Sequence, residues 1–142
     1  MKNNTITKVH WSFWLITILM LIWNVMGGIN FFMQMNPDMV SSYRETEQAI
    51  IQGRPVWATA AFAIAVFGGA LGCLLLILKK SQAFYCFVAS LVGVIVTMTY
   101  TVSIGVDFGM GEIVGIIFMP LLVAIILIWY SKYVAAKGWL SN

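Results

Sequence analysis

Four stretches of this chain carry no charged side chain: Val9–Pro37 (29 residues), Pro55–Leu78 (24), Ser81–Val106 (26) and Ile113–Ser131 (19). Crossing the hydrocarbon of a bilayer takes about 20 apolar residues in a helix, at 1.5 Å rise each. A chain inside lipid must also satisfy its backbone hydrogen bonds internally, which leaves helices or a closed barrel. Barrel strands need only about 10 residues and alternate polar with apolar, whereas these runs are apolar on every face. Composition agrees: 61% of residues are hydrophobic and 9% charged, against about 25% charged in a soluble domain. The same figures exclude disorder. The sequence therefore predicts an all-α, polytopic four-helix transmembrane bundle forming a single domain over residues 1–142, with spans at about 11–33, 55–78, 83–105 and 112–133. The first run is too long for the apolar core of a signal peptide and no small-residue cleavage site follows it, so it is read as a retained helix.

Charge distribution orients the bundle. Lys2, Lys8, Lys79, Lys80, Lys132 and Lys137 fall on one side, with no acid among them. Asp38, Glu45, Glu47, Asp107 and Glu112 fall on the other, with Arg44 and Arg54. The positive-inside rule then places both termini in the cytoplasm. The net charge of +3 is a topology signal that lysines facing anionic lipid explain, and it implies no nucleic acid partner. Trp11, Trp14, Phe84, Tyr85, Trp129, Tyr130 and Tyr133 suit a cytoplasmic aromatic belt, and Phe31, Phe32, Trp57 and Phe108 an outer one. Cys73 and Cys86 lie toward the reducing side, so no structural disulfide is expected.

Between the first two spans, Asn36-Pro37-Asp38 is a helix-start signal and Gly53 a stop. Val40, Tyr43, Glu47, Ile50 and Ile51 recur at helical spacing. The reading is one amphipathic helix over about 37–52 on the outer face, either covering the bundle or acting as a lid or docking surface. The second span is rich in small residues, including Gly68 and Gly72, and Gly28 closes a stripe on the first. Small residues let helix backbones approach, which is how helices associate in lipid. Pro120 breaks the hydrogen-bond ladder of the fourth span and predicts a kink near 116–120, as a packed bend or as a hinge.

No Asp, Glu, Lys, Arg or His lies in the middle of a span. This argues against proton coupling through a buried carboxylate, bis-histidine haem, a metal site and any nucleophilic triad, and the chain is expected to be neither an enzyme nor a cofactor protein. Neutral polar groups remain. Asn24 sits near the centre of the first span, with Thr17 and Gly28 on the same face. Ser90, Gly93, Thr97, Tyr100 and Thr101 form a stripe on the third. These faces are expected to meet inside the bundle, either as an interhelical hydrogen-bond network or as a polar pocket opening toward Asn30. Arg54, Asp107 and Glu112 would form its outer mouth, or simply be solvated turn charges.

Three segments carry a family likeness. Trp23-Asn24-x-x-Gly27-Gly28, Pro55-x-Trp57 and Phe67-Gly68-Gly69-x-Leu71-Gly72-Cys73 before a basic pair resemble a group of uncharacterised bacterial four-helix membrane proteins of about this chain's length, often labelled sugar transporters. The resemblance covers nearly the whole chain. It implies a bacterial inner-membrane protein and leans toward transport. The group often has Asp after the Trp-Asn-x-x-Gly segment; here the place is taken by Asn30, so an acid-dependent role there does not carry over. Two functions are compatible with these features. One is a transport or permeation protein for a neutral polar solute, acting as a homo-oligomer because four helices rarely enclose a wide path. The other is a non-catalytic accessory or scaffold subunit bound to a membrane-protein partner.

Overall fold

The computed structural model describes residues 9–105 and 108–141. The chain is an all-α four-helix bundle with no strand among the described residues. Its long helices are α1 (Trp11–Met35), α4 (Val56–Ile77), α5 (Ala83–Ser103) and a last helix running from α6 (Met110–Glu112) through a π-helical stretch (Ile113–Phe118) into α7 (Met119–Ala136). All four are long and apolar enough to cross a membrane, and their outward faces present Leu, Ile, Val, Phe and Trp side chains. The protein is a multi-pass membrane protein. Its terminal end holds His10, the 78–82 turn and residues 137–141; the opposite end is roofed by α2 (Pro37–Val40) and α3 (Glu45–Gln52).

The roof differs from the single helix expected over 37–52. Its start is as read: the Asn36 side chain accepts from the Asp38 N–H at 3.0 Å, with Pro37 next in line. The helix then stops after one turn. The Ser41 and Ser42 hydroxyls donate back to the carbonyls of Asp38 (2.9 Å) and Met39 (2.6 Å), a local competition that draws backbone out of a helix. Gln48 then donates to the Tyr43 carbonyl at 2.7 Å and holds the break.

Helix order in space is α1, α4, α5, α7, and α1 and α7 do not pack as a pair along their length. The centre is α4, because its buried face is Ala58, Ala61, Ala65, Gly69 and Gly72. A Cβ at Gly93 of α5 would lie 2.6 Å from the Ala61 carbonyl oxygen and 2.8 Å from the Ala65 nitrogen, so the two backbones touch. The Ser90 hydroxyl crosses the same seam to the Ala65 carbonyl at 2.5 Å. Gly68 rests against Ser90 and the Cys86 carbonyl, Gly72 receives the Phe87 ring, and Gly28 receives the Phe67 ring from the α1 side. In lipid such backbone contact replaces apolar burial as the source of helix association.

A dry plug closes the terminal end: Phe13, Leu76, Phe87, Leu127, Tyr130 and Val134 are buried together, with Trp139 against them. Here α1 and α7 do meet, the Phe13 ring stacking on Tyr130 at 6.4 Å. The chain's end is pinned to the α4–α5 turn by bonds from the Ser81 N–H to the Ser141 carbonyl and from the Ser141 N–H to the Lys79 carbonyl, each 2.7 Å. Lys79 itself sits in the left-handed region at φ 59°. Its N–H reaches Leu76 and that of Lys80 reaches Leu75, both at 2.8 Å, which is a Schellman cap carrying lysine where glycine is usual.

Pro120 has no N–H to give the Ile116 carbonyl, and its ring crowds that oxygen. The structure answers with the π-helical stretch Ile113–Phe118, a widened turn immediately before the proline.

Candidate functional site

Because α1 and α7 part away from the plug, space opens between them. A cavity of about 520 Å³ runs from the roofed end to the middle of the bundle. Its walls come from α1, α3, α4, α5 and the last helix. On α5 it extends from Thr101 to Ser90, about 16 Å at the rise of a helix. Drug-sized ligand sites have volumes of about 300–1,000 Å³. By helix position Asn24, Ser90 and Leu127 lie deepest, Asn30, Phe62, Thr97, Thr101 and Ile116 line the middle, and Gln34, Arg44, Glu47, Arg54 and Glu112 border the mouth.

The floor is polar on two sides. Asn24 is buried, and its amide N–H donates to the Met20 carbonyl at 2.9 Å. Its oxygen is packed against the Cα of Gly69, where any side chain would collide with it. Of the two arrangements the sequence left open for the polar stripes, a mutual hydrogen-bond network is not the one formed among the described residues. Thr97 donates to Gly93 (2.8 Å) and Thr101 to Thr97 (2.9 Å), each within its own helix, while Ser90 reaches α4. The reason is that α4 stands between α1 and α5, so the stripes face each other across open space. Asn24, Asn30, Ser90, Thr97 and Thr101 all line that space. Tyr100 does not: it turns away, donates to the Ile50 carbonyl at 3.0 Å and packs edge-on against Trp57 at 6.0 Å. It anchors the roof instead.

The roof is tied down by polar contacts. The Tyr43 hydroxyl donates to the Asn30 side-chain oxygen, and the Thr46 hydroxyl donates to the Glu112 carboxylate. Arg44 pairs with Glu47 at 3.1 Å and with Glu112 at 4.0 Å. Burial, with the Glu47 charge adding to it, raises the Tyr43 phenol above its ordinary pKa, so it remains a donor at neutral pH. Ile50 and Val40 are the buried apolar contacts beneath.

Arg54 closes the other side of the mouth. Its Nη2 donates to the Gln34 side-chain oxygen at 2.7 Å, and its guanidinium lies over the Phe62 ring at 5.0 Å. Its Nε is buried without a partner. Burial lowers the pKa of this group from its usual value, with Tyr100 acting the opposite way, yet a guanidinium keeps its proton in any case.

Of the mouth residues read from sequence, Arg54 and Glu112 border the cavity and Asp107 lies outside the described residues. Pro120 lines the cavity below the π-helical stretch. Gly28, Gly68 and Gly72 are packing positions away from it. Sequence reasoning missed Gln34, Arg44, Glu47 and Phe62 as cavity residues. Gln34 had a signal, since it lies one turn beyond Asn30 on the same face of α1. Arg44 and Glu47 reach the site only because the broken roof folds over it. Among the described residues no three His, Cys, Asp or Glu side chains gather to hold a metal, and Cys73 and Cys86 are free thiols. No protein-family model, curated protein or solved structure matches the chain.

Proposed function

We propose that this chain is a small, non-catalytic transport or permeation protein of the bacterial inner membrane, which admits a small polar solute to the central cavity. The observation that carries the reading is the cavity itself: 520 Å³ of space inside the bundle, polar at floor and mouth, open between α1 and α7 and shut at the terminal end. Asn24, Ser90, Thr97 and Thr101 each hold one hydrogen bond within the bundle and still line this space, and polar groups in a membrane bundle face its interior or a cavity. Both termini belong in the cytoplasm. Lys79, Lys80, Lys132 and Lys137 lie at the terminal end, while Asp38, Glu45, Glu47 and Glu112 lie toward the roof. The cavity then opens outward, and a homo-oligomer completes the path. The resemblance to proteins labelled sugar transporters points the same way.

An accessory subunit needs a docking face instead. The best candidate, the small-residue face of α4, is occupied by α1 and α5 of the same chain, which lowers the support for that reading. The test is solute uptake by proteoliposomes containing the purified protein. Uptake that Asn24→Leu abolishes, with the fold retained, supports the proposal. Uptake that survives Asn24→Leu removes the floor from the path, and a native extract in which the protein is stoichiometric with a different membrane protein turns the assignment to the accessory role.

A further inference from the structure

The mouth of the cavity carries two arginines and two glutamates, and both glutamates pair with the same arginine. Arg44 binds both Glu47 and Glu112, so those three groups satisfy one another and leave one net negative charge. Arg54 stands apart from them. Among the described residues no carboxylate pairs with it; its single hydrogen bond goes to the neutral Gln34 oxygen, and its Nε is buried with no acceptor. A guanidinium cannot shed its proton, and this half-buried one keeps a charge and a buried N–H that no group among the described residues answers. The Gln34 amide, with its oxygen committed to Arg54, keeps two N–H donors for another acceptor. Next to this cluster of donors the wall becomes apolar, through Phe62, Ile50, Val94, Ile116 and Leu127.

We propose that Arg54 and Gln34 form an oxyanion subsite at the cavity mouth, which takes the carboxylate of a small amphipathic acid whose apolar body lies along the Phe62–Leu127 wall. One guanidinium beside a net-negative trio suits a monoanion and disfavours a phosphate dianion. This deepens the transport reading and rests on the cavity being the solute site. The neutral solute suggested by charge-free spans is thereby replaced by one whose charge is held at the mouth, outside the spans.

The test is calorimetric titration of the full chain in phosphatidylcholine nanodiscs, with empty nanodiscs as blank. The probes are 3-phenylpropanoate, 3-phenylpropanamide, 3-phenylpropylamine and decanoate. The expected result is that an acid binds about tenfold more tightly than the amide or amine, the ratio that a charge-assisted hydrogen bond gains over a neutral one. Phenylpropanoate binding identifies a water-borne acid, and binding of decanoate alone identifies a fatty acid drawn from the membrane. Arg54→Gln should bring acid and amide to equal affinity, and Arg54→Lys should keep part of the preference. Should Arg54→Gln fail to fold, Gln34→Leu serves in its place and should weaken acid binding severalfold. An amide that binds as well as the acid, a preference that survives Arg54→Gln, or no binding of either acid overturns the subsite. Because binding is read without transport, a protein that holds the acid and fails to carry it loses the transport reading and keeps this one.

Discussion

Gly93→Ala is the sharpest test of the bundle's construction. The added Cβ would stand 2.6 Å from the Ala61 carbonyl oxygen and 2.8 Å from the Ala65 nitrogen. Both are backbone atoms in the interior of α4, so no side chain can swing aside. Relief requires α4 and α5 to part by most of an ångström along their tightest seam. Overpacking of this kind costs about 1–3 kcal/mol. The separation also stretches the Ser90–Ala65 hydrogen bond at 2.5 Å, and an interhelical hydrogen bond in a membrane contributes about 0.6 kcal/mol. A loss of about 2–3 kcal/mol follows. The control is Gly115→Ala, where the new methyl meets nothing within 4 Å and the better helix former should hold or slightly raise stability. Reversible unfolding in mixed detergent micelles, monitored by circular dichroism, compares the two. If Gly93→Ala unfolds within about 0.5 kcal/mol of the parent, α4 and α5 are not in tight backbone contact at Gly93 and small residues do not hold this seam together.

Two further perturbations probe the ends. Lys79→Gly relieves a left-handed residue, a conformation costing about 1–2 kcal/mol outside glycine, offset in part by glycine's larger unfolded-state entropy; a net gain of about 0.5–1 kcal/mol in the same unfolding assay is expected, and destabilisation would show that Lys79 contributes more through its contact with Trp14 than its backbone loses. Tyr43→Phe removes the tie between the roof and Asn30, worth about 1 kcal/mol. Trypsin cleavage after Arg44, whose side chain is 71% exposed, should accelerate about fivefold, and an unchanged rate would mean the apolar contacts of Ile50 hold the roof alone.

Much of the fold was legible because lipid forces it. An unbroken apolar run has one stable solution in a bilayer, so four spans followed from four runs. The Asn36-Pro37-Asp38 start was equally local, since its hydrogen bond joins residues two apart. The break after Val40 was hidden: Ser41 and Ser42 suit a polar helical face as well as a turn, and only their bonds back to Asp38 and Met39 decide between the two. The polar stripes were visible as periodicity, but their outcome was not. Whether Asn24 meets Thr97 or faces a void depends on how far α4 holds α1 from α5, and that distance is set by Gly69 and Gly93 together. Tyr100 shared the stripe's spacing yet serves the roof, because the Ile50 carbonyl lies within its reach. The pairing of Arg54 with Gln34 joins residues 20 apart and had no local signature.

Pro120 links the fold to the cavity, and its removal separates a bend from a working part. With Pro120→Ala the residue regains an N–H, and the Ile116 carbonyl regains its partner four residues on. The π-helical stretch Ile113–Phe118 then has no cause to persist. Closing it to an ordinary helix removes one residue from the turn and rotates everything before it by about 100° relative to α7. Glu112 is what that rotation displaces. It would swing off Thr46 and Arg44, leaving Arg44 paired with Glu47 alone and the roof without its link to the last helix. The variant should therefore be more stable to unfolding, show slower amide exchange across 113–121, and take up solute poorly. Slower exchange with normal uptake would make the widened turn a packing accommodation of proline and nothing more. Faster exchange would refute the premise that proline imposes the turn, since the helix would then be wide there for another reason.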